Sequence, residues 1–164
     1  MKKWLGWLIS LIVVLAVFIP AQAQAAGEDI RVYINGDELR SSQKVTVIDG
    51  RTMVPMRAIF EALNCTVLWD GDRQAVTAYD DRTMVTMVVN DPWVFVGDKN
   101  RMIDLMKHPE SPEYSVYFLS HVSAMNVPSC LIDGRVYVPL RVVGESLGCK
   151  VDWNASARAI FITG

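Results

Sequence analysis

The sequence predicts an α+β fold made of two pseudo-symmetric copies of a β-hairpin–helix–β-hairpin unit that share one core. Three observations carry that expectation. The first is self-similarity: Ile48-Asp49-Gly50-Arg51-Thr52-Met53-Val54-Pro55-Met56-Arg57 recurs as Ile132-Asp133-Gly134-Arg135-Val136-Tyr137-Val138-Pro139-Leu140-Arg141, and Glu61, Leu63, Cys65, Val67, Trp69 and Ala75 return in register as Glu145, Leu147, Cys149, Val151, Trp153 and Ala159. The second is an Asp-Gly pair between β-rich runs in each copy, a two-residue hairpin signal because glycine tolerates positive φ. The third is the spacing of Met56, Ile59, Phe60 and Leu63, which forms the apolar stripe of a short helix.

Taken in order, the elements begin with a leader. Lys2 and Lys3 precede an uncharged apolar run, Trp4 to Ile19; Pro20 and the small-residue sites Ala21-Gln22-Ala23 and Ala23-Gln24-Ala25 follow. This order predicts a secretory signal peptide over residues 1–25, leaving residues 26–164 as one exported domain. The run is short for a bilayer span of ~20 residues, so an uncleaved anchor is disfavoured. The first cysteine is Cys65, so no lipid attachment is expected at the cleavage site.

Ile30 to Ile34 with Asn35-Gly36 predicts a leading hairpin. Lys44 to Ile48 and Arg51 to Val54 form the next, and Pro55 suits the first turn of a helix, where its missing N–H costs nothing. Arg57 and Glu61 share a helix face, and Asn64 is a left-handed stop, a place taken by Gly148 in the second copy. Thr66–Trp69 and Gln74–Tyr79 flank a polar turn. The first unit thus spans about 30–89 and the second about 90–164. Thr83–Val89 and Trp93–Val96, with Gly97-Asp98 read as a turn, lead into the second copy. The stretch at about 107–127 has no counterpart in the repeat and reads as an insertion, with Glu113–Met125 a helix or a further strand.

Charge narrows the function classes. The chain has 16 basic and 18 acidic residues, and without Lys2 and Lys3 the balance is 14 against 18, a net −4. A mildly acidic domain with no basic cluster is a poor partner for nucleic acid or an anionic membrane. No stable membrane span is expected after leader removal. Three cysteines, Cys65, Cys130 and Cys149, allow one disulfide or three free thiols, and the sequence does not choose.

Several motifs invite a chemical reading. Gly144-Glu145-Ser146-Leu147-Gly148 spells the nucleophile-elbow pattern, but the repeat puts Ser146 late in a helix and no histidine follows. Asp70-Gly71-Asp72 and Asp80-Asp81 lack the ligand spacing of a calcium loop and read as turns. No catalytic residue and no cofactor is therefore assigned. His108, His121 and Cys130 are the alternative, a metal-binding or enzymatic set, at spacings that match no zinc pattern. Arg51, Pro55, Arg57, Glu61 and Trp69, repeated as Arg135, Pro139, Arg141, Glu145 and Trp153, read as structural, with the tryptophans packing in the core or between units. Trp93, Tyr114, Tyr117 and Phe118 have no repeat-imposed reason to be there. They are the candidate binding residues, as aromatics able to stack on sugar rings or anchor a partner.

The string from Ile48 to Leu63, followed by Val67-Leu68-Trp69-Asp70, resembles the copper amine oxidase N-terminal-like, or stalk, domain family of secreted and wall-associated proteins of Gram-positive bacteria. The resemblance covers roughly residues 30–164 and both copies show it. It implies an extracellular or cell-wall address and a stalk that carries neither the copper nor the quinone of the oxidase. With the second unit reaching Gly164, no catalytic domain is expected to follow. The family's connection at 107–127 is shorter. The function expected is an exported, non-catalytic binding or scaffold domain engaging the cell envelope, a cell-wall polysaccharide or an envelope protein.

Overall fold

In a computed structural model, which describes residues 29–164, the chain is an α+β domain of thirteen strands and four helices among the described residues. The predicted leader lies outside the described residues. The strands are β1 (Arg31–Ile34), β2 (Asp37–Glu38), β3 (Thr46–Ile48), β4 (Arg51–Pro55), β5 (Thr66–Asp70), β6 (Ala75–Tyr79), β7 (Thr83–Val88), β8 (Trp93–Asp98), β9 (Val122–Ala124), β10 (Cys130–Ile132), β11 (Arg135–Pro139), β12 (Lys150–Asn154) and β13 (Ala159–Thr163). The helices are α1 (Met56–Ala62), α2 (Lys99–Leu105), α3 (Pro112–Ser120) and α4 (Leu140–Ser146).

Local chemistry accounts for the boundaries. Asp49-Gly50 and Asp133-Gly134 all have positive φ, the geometry of a tight hairpin turn. Pro55 and Pro139 close their strands and stand at the N-caps of α1 and α4. Asn64 (φ 58°) and Gly148 (φ 78°) stop those helices in the left-handed region.

Two hairpins meet in the central four-stranded sheet, ordered β10-β11-β4-β3. At its seam, β4 and β11 run antiparallel with Val54 opposite Val138, Met53 opposite Pro139, and Pro55 opposite Tyr137. The helices cross over this seam: α1 packs against β11 and α4 against β4. A second sheet, β12-β13-β1-β2, closes the chain on itself through a parallel β1–β13 pair, and the third, β5-β6-β7-β8-β9, is antiparallel throughout. The outer sheets therefore differ, since β6 meets β7 antiparallel whereas β13 meets β1 parallel.

The main core draws on both halves, with Phe60, Ile59, Val54, Val138, Leu140 and Val143 nearly or fully inaccessible. Gly144 occupies the position of Phe60 in the alignment of the two copies. A Cβ there would come within 2.7 Å of Val151 Cγ2, so α4 lies close on its sheet where α1 carries a large ring. Two smaller clusters stand apart from this core, one around Met53, Val127 and Tyr137 and one around Met84, Phe95 and Met102. A single shared core thus describes only the centre of the molecule.

The region between the copies departs from expectation in three ways. Gly97-Asp98 is no turn: both residues end β8, and Asp98 caps α2 by accepting a hydrogen bond from the Arg101 N–H. The unrepeated helices begin at Lys99, ahead of the predicted insertion. Glu113–Met125 holds both a helix and a strand, α3 being capped by Ser111 with Pro112 in its first turn and then feeding β9. No described helix is long and apolar enough to cross a membrane.

Candidate functional site

Two depressions mark the surface, and each holds residues singled out in the sequence. The first is a cleft of about 650 Å³ with three walls. The β3–β4 turn supplies Arg51, α4 supplies Arg141 and Glu145, the end of β12 supplies Asp152 and Trp153, and the segment 124–127 supplies Asn126. The second is an apolar groove of about 520 Å³ between the β7–β8 surface and α3, lined by Met87, Val88, Trp93, Phe118, Leu119 and Val122.

Trp153 explains how a core-facing position became a surface one. Strand alternation puts it on the same face as buried Val151, which lies under Gly144 of α4. One step further along, Trp153 pairs with Ile160 and overhangs the cleft, 47% exposed. Its counterpart Trp69 is 43% exposed; its Nε1 lies 3.5 Å from where a Cβ on Gly71 would stand, folded over its own turn. The expectation that both tryptophans pack in the core or between units is thus corrected. The strand face is right, but the strand ends outrun the helices that cover them.

The charges on the cleft are unequal. Arg141 Nη1 meets Glu145 Oε1 at 3.2 Å, and Asp152 is bonded by Lys150 Nζ at 2.7 Å. Arg51 makes no side-chain hydrogen bond or ion pair among the described residues, so it is the one charged lining residue without a direct partner. The equivalent Arg57 and Glu61 on α1 form no ion pair among the described residues, and Arg135 reaches only its own turn, donating to the Asp133 carbonyl at 3.4 Å.

The four aromatic candidates divide. Trp93 is 54% exposed at the start of β8, and Phe118 shares its groove. Tyr114 and Tyr117 instead hold α3 down. Phe118 stacks on Phe95 at 5.3 Å and Tyr114 on Phe118 at 6.2 Å, while the Tyr117 hydroxyl accepts the Asp98 N–H at 2.8 Å. Leu119 and Val116, at 72% and 69% exposure, are the outward apolar residues of α3, a helix with no fully buried residue. Three half-buried aromatics within five residues mask the outward pair in the sequence.

The alternative metal set is not assembled. His108 is exposed beside Glu110, His121 lies against Tyr117 with Nδ1 2.8 Å from its carbonyl oxygen, and Cys130 sits in β10 opposite Tyr137. Among the described residues no group of three or more His, Cys, Asp or Glu side chains is placed to hold a metal ion. Ser146 ends α4, remote from any elbow geometry. Asp70 and Asp80 are engaged by their turns: Asp70 Oδ1 accepts the N–H groups of Asp72 and Arg73, and Asp80 Oδ1 those of Arg82 and Thr83. The backbone bond from Arg73, followed by that residue's side chain, holds the Asp70 carboxyl below its usual range.

All three thiols are free. Burial, then Asp80, then Cys149 push the Cys65 thiol up to about 11, while burial raises Cys130, and burial and Asp80 raise Cys149. None is an activated nucleophile, which requires a depressed pKa.

Residues 33–162 match the family model of the copper amine oxidase N-terminal domain. No curated protein and no solved structure matches the chain.

Proposed function

The chain belongs to the copper amine oxidase N-terminal domain family, whose domain is non-catalytic in those enzymes, and from that membership we propose that it is an exported binding domain that engages cell-wall polysaccharide. One observation carries the reading. Trp93 and Trp153 stand 54% and 47% exposed, each on the wall of a surface depression. An exposed indole in a depression offers a flat apolar face beside polar groups, and a pyranose ring presents the flat C–H face that suits it. The leader at residues 1–25 supports export, and the mild negative charge argues against nucleic acid.

The scaffold under Trp153 is a duplicated unit. The series β3-β4-α1-β5-β6 recurs as β10-β11-α4-β12-β13, and aligned residues Val54 and Val138 oppose each other at the seam.

A second reading, docking of an envelope protein, is favoured by Leu119, which lines the Trp93 groove with aliphatic rather than aromatic surface, and by Val116, exposed on the same helix. Co-sedimentation of the mature protein with isolated cell walls and insoluble polysaccharides separates the two. Saturable binding to protein-stripped walls supports the polysaccharide reading. Binding that vanishes when wall proteins are removed supports the second.

A further inference from the structure

We propose that the cleft formed by Arg51, Asn126, Glu145 and Trp153 is a subsite for an acidic sugar, a pyranose ring bearing a carboxylate. The inference rests on the polysaccharide reading and deepens it by naming the site and the ligand class. Three features of the cleft carry it.

Its size is the first. About 650 Å³ lies in the range of small-ligand clefts and accommodates one or two sugar rings. Its walls come from separate parts of the chain: the β3–β4 turn, α4 with β12, and the segment 124–127 that follows β9. Residues this far apart in sequence meet only in the folded domain, which preorganises the site.

The second is complementarity to a ring. Trp153 provides a half-exposed aromatic face, and Asn126 and Glu145 provide an amide and a carboxylate on the walls for ring hydroxyls. Such a mixture of one flat apolar surface with several polar groups fits a molecule that has C–H on one side and O–H at its edge.

The third is charge. Arg141 is matched by Glu145, and Asp152 by Lys150 from outside the cleft, so Arg51 is the one charged lining side chain with no ion-pair partner among the described residues. A planar guanidinium pairs bidentately with a carboxylate, and it does so here on a domain whose overall charge is negative. A neutral sugar leaves that group with water alone; an acidic one completes it.

The aligned set on the other half serves as an internal control. Trp69 folds over its own turn and Arg135 bonds its own hairpin carbonyl, and the wall 124–127 belongs to the Trp153 cleft. Binding is therefore expected at one site per chain.

Calorimetric titration of the mature protein with a tetramer of galacturonic acid and with the neutral galactose tetramer tests the assignment. The expected result is one site, tighter for the acid by about tenfold or more, with the preference shrinking as salt rises. Arg51→Ala should abolish the preference while Arg51→Lys keeps part of it, Trp153→Ala should weaken both sugars by about tenfold, and Trp69→Ala should change neither. All three positions are exposed, and unchanged thermal melting shows that each variant is folded. Equal affinity for the two tetramers, or an Arg51→Ala variant that retains the preference, overturns the acidic-sugar assignment. Binding of polysaccharide that survives Trp153→Ala but not Trp93→Ala moves the site to the groove and leaves the polysaccharide reading standing. No affinity for either tetramer together with none for whole walls sinks both.

Discussion

Val54 and Val138 oppose each other across the β4–β11 seam, and neither exposes any surface. They occupy matching places in the two similar stretches of sequence, and the strands that carry them pair directly. Truncating either to alanine removes a buried branched side chain at the point where the halves meet. Each single change is expected to cost about 2–3 kcal/mol in urea unfolding. The double variant should cost measurably less or more than the sum of the two, because the residues share one contact. Additive losses would show that the seam does not couple the halves.

Gly97 sits under Tyr117. A Cβ at that position would approach Phe95 Cζ to 2.6 Å and the Tyr117 hydroxyl to 3.0 Å. Gly97→Ala should therefore lift α3 from β8 and break the bond between the Asp98 N–H and Tyr117. A loss of about 1–3 kcal/mol is expected, with faster amide exchange in residues 112–120 than elsewhere. Unchanged exchange there would mean that α3 is held by other contacts.

Cys65 makes stability depend on alkaline pH. Its folded pKa is raised from 9.0 to about 11, chiefly by burial, so the folded state holds the thiol proton more tightly than the unfolded chain. The stability this contributes is fully present below pH 9 and is lost as pH rises through about 11. The urea midpoint should fall across that window. Other groups titrate there too, so the comparison is with Cys65→Ala, whose midpoint should fall less steeply. Parallel curves would refute it.

Trp93 and Leu119 line one groove from two elements, β8 and α3. Replacing both with Ser removes exposed apolar surface and touches little of the core, so stability should change by less than about 0.5–1 kcal/mol. If an envelope protein docks there, this variant loses wall association while retaining polysaccharide affinity. Loss of polysaccharide affinity would instead join the groove to the sugar site.

The α+β character and the β3–β4 hairpin with its following helix α1 are legible because Asp49-Gly50, Pro55 and Asn64 each act through local backbone geometry. The ends of β8 and the start of α2 are not, because Gly97-Asp98 carries a turn signature and Asp98 works as a cap. For the site, Trp93 was legible as an aromatic without a packing role. Arg51 and Trp153 recur in the sequence, which argues for a structural role, and only the strand-end geometry shows that Trp153 escapes its helix. Tyr114 and Tyr117 were placed on the surface for the opposite reason: nothing local reveals that Phe95 and Asp98 are waiting beneath them.

Polysaccharide binding through exposed tryptophans has a direct optical readout. Residues 26–164 contain only Trp69, Trp93 and Trp153, each about half exposed, so the free domain should emit at long wavelength. Titration of that domain with solubilised cell-wall polysaccharide is expected to shift the emission to shorter wavelength along a saturable curve, with the shift reduced in Trp153→Phe. Emission that stays at its starting wavelength at every polymer concentration, with all three indoles still in water, would contradict the account.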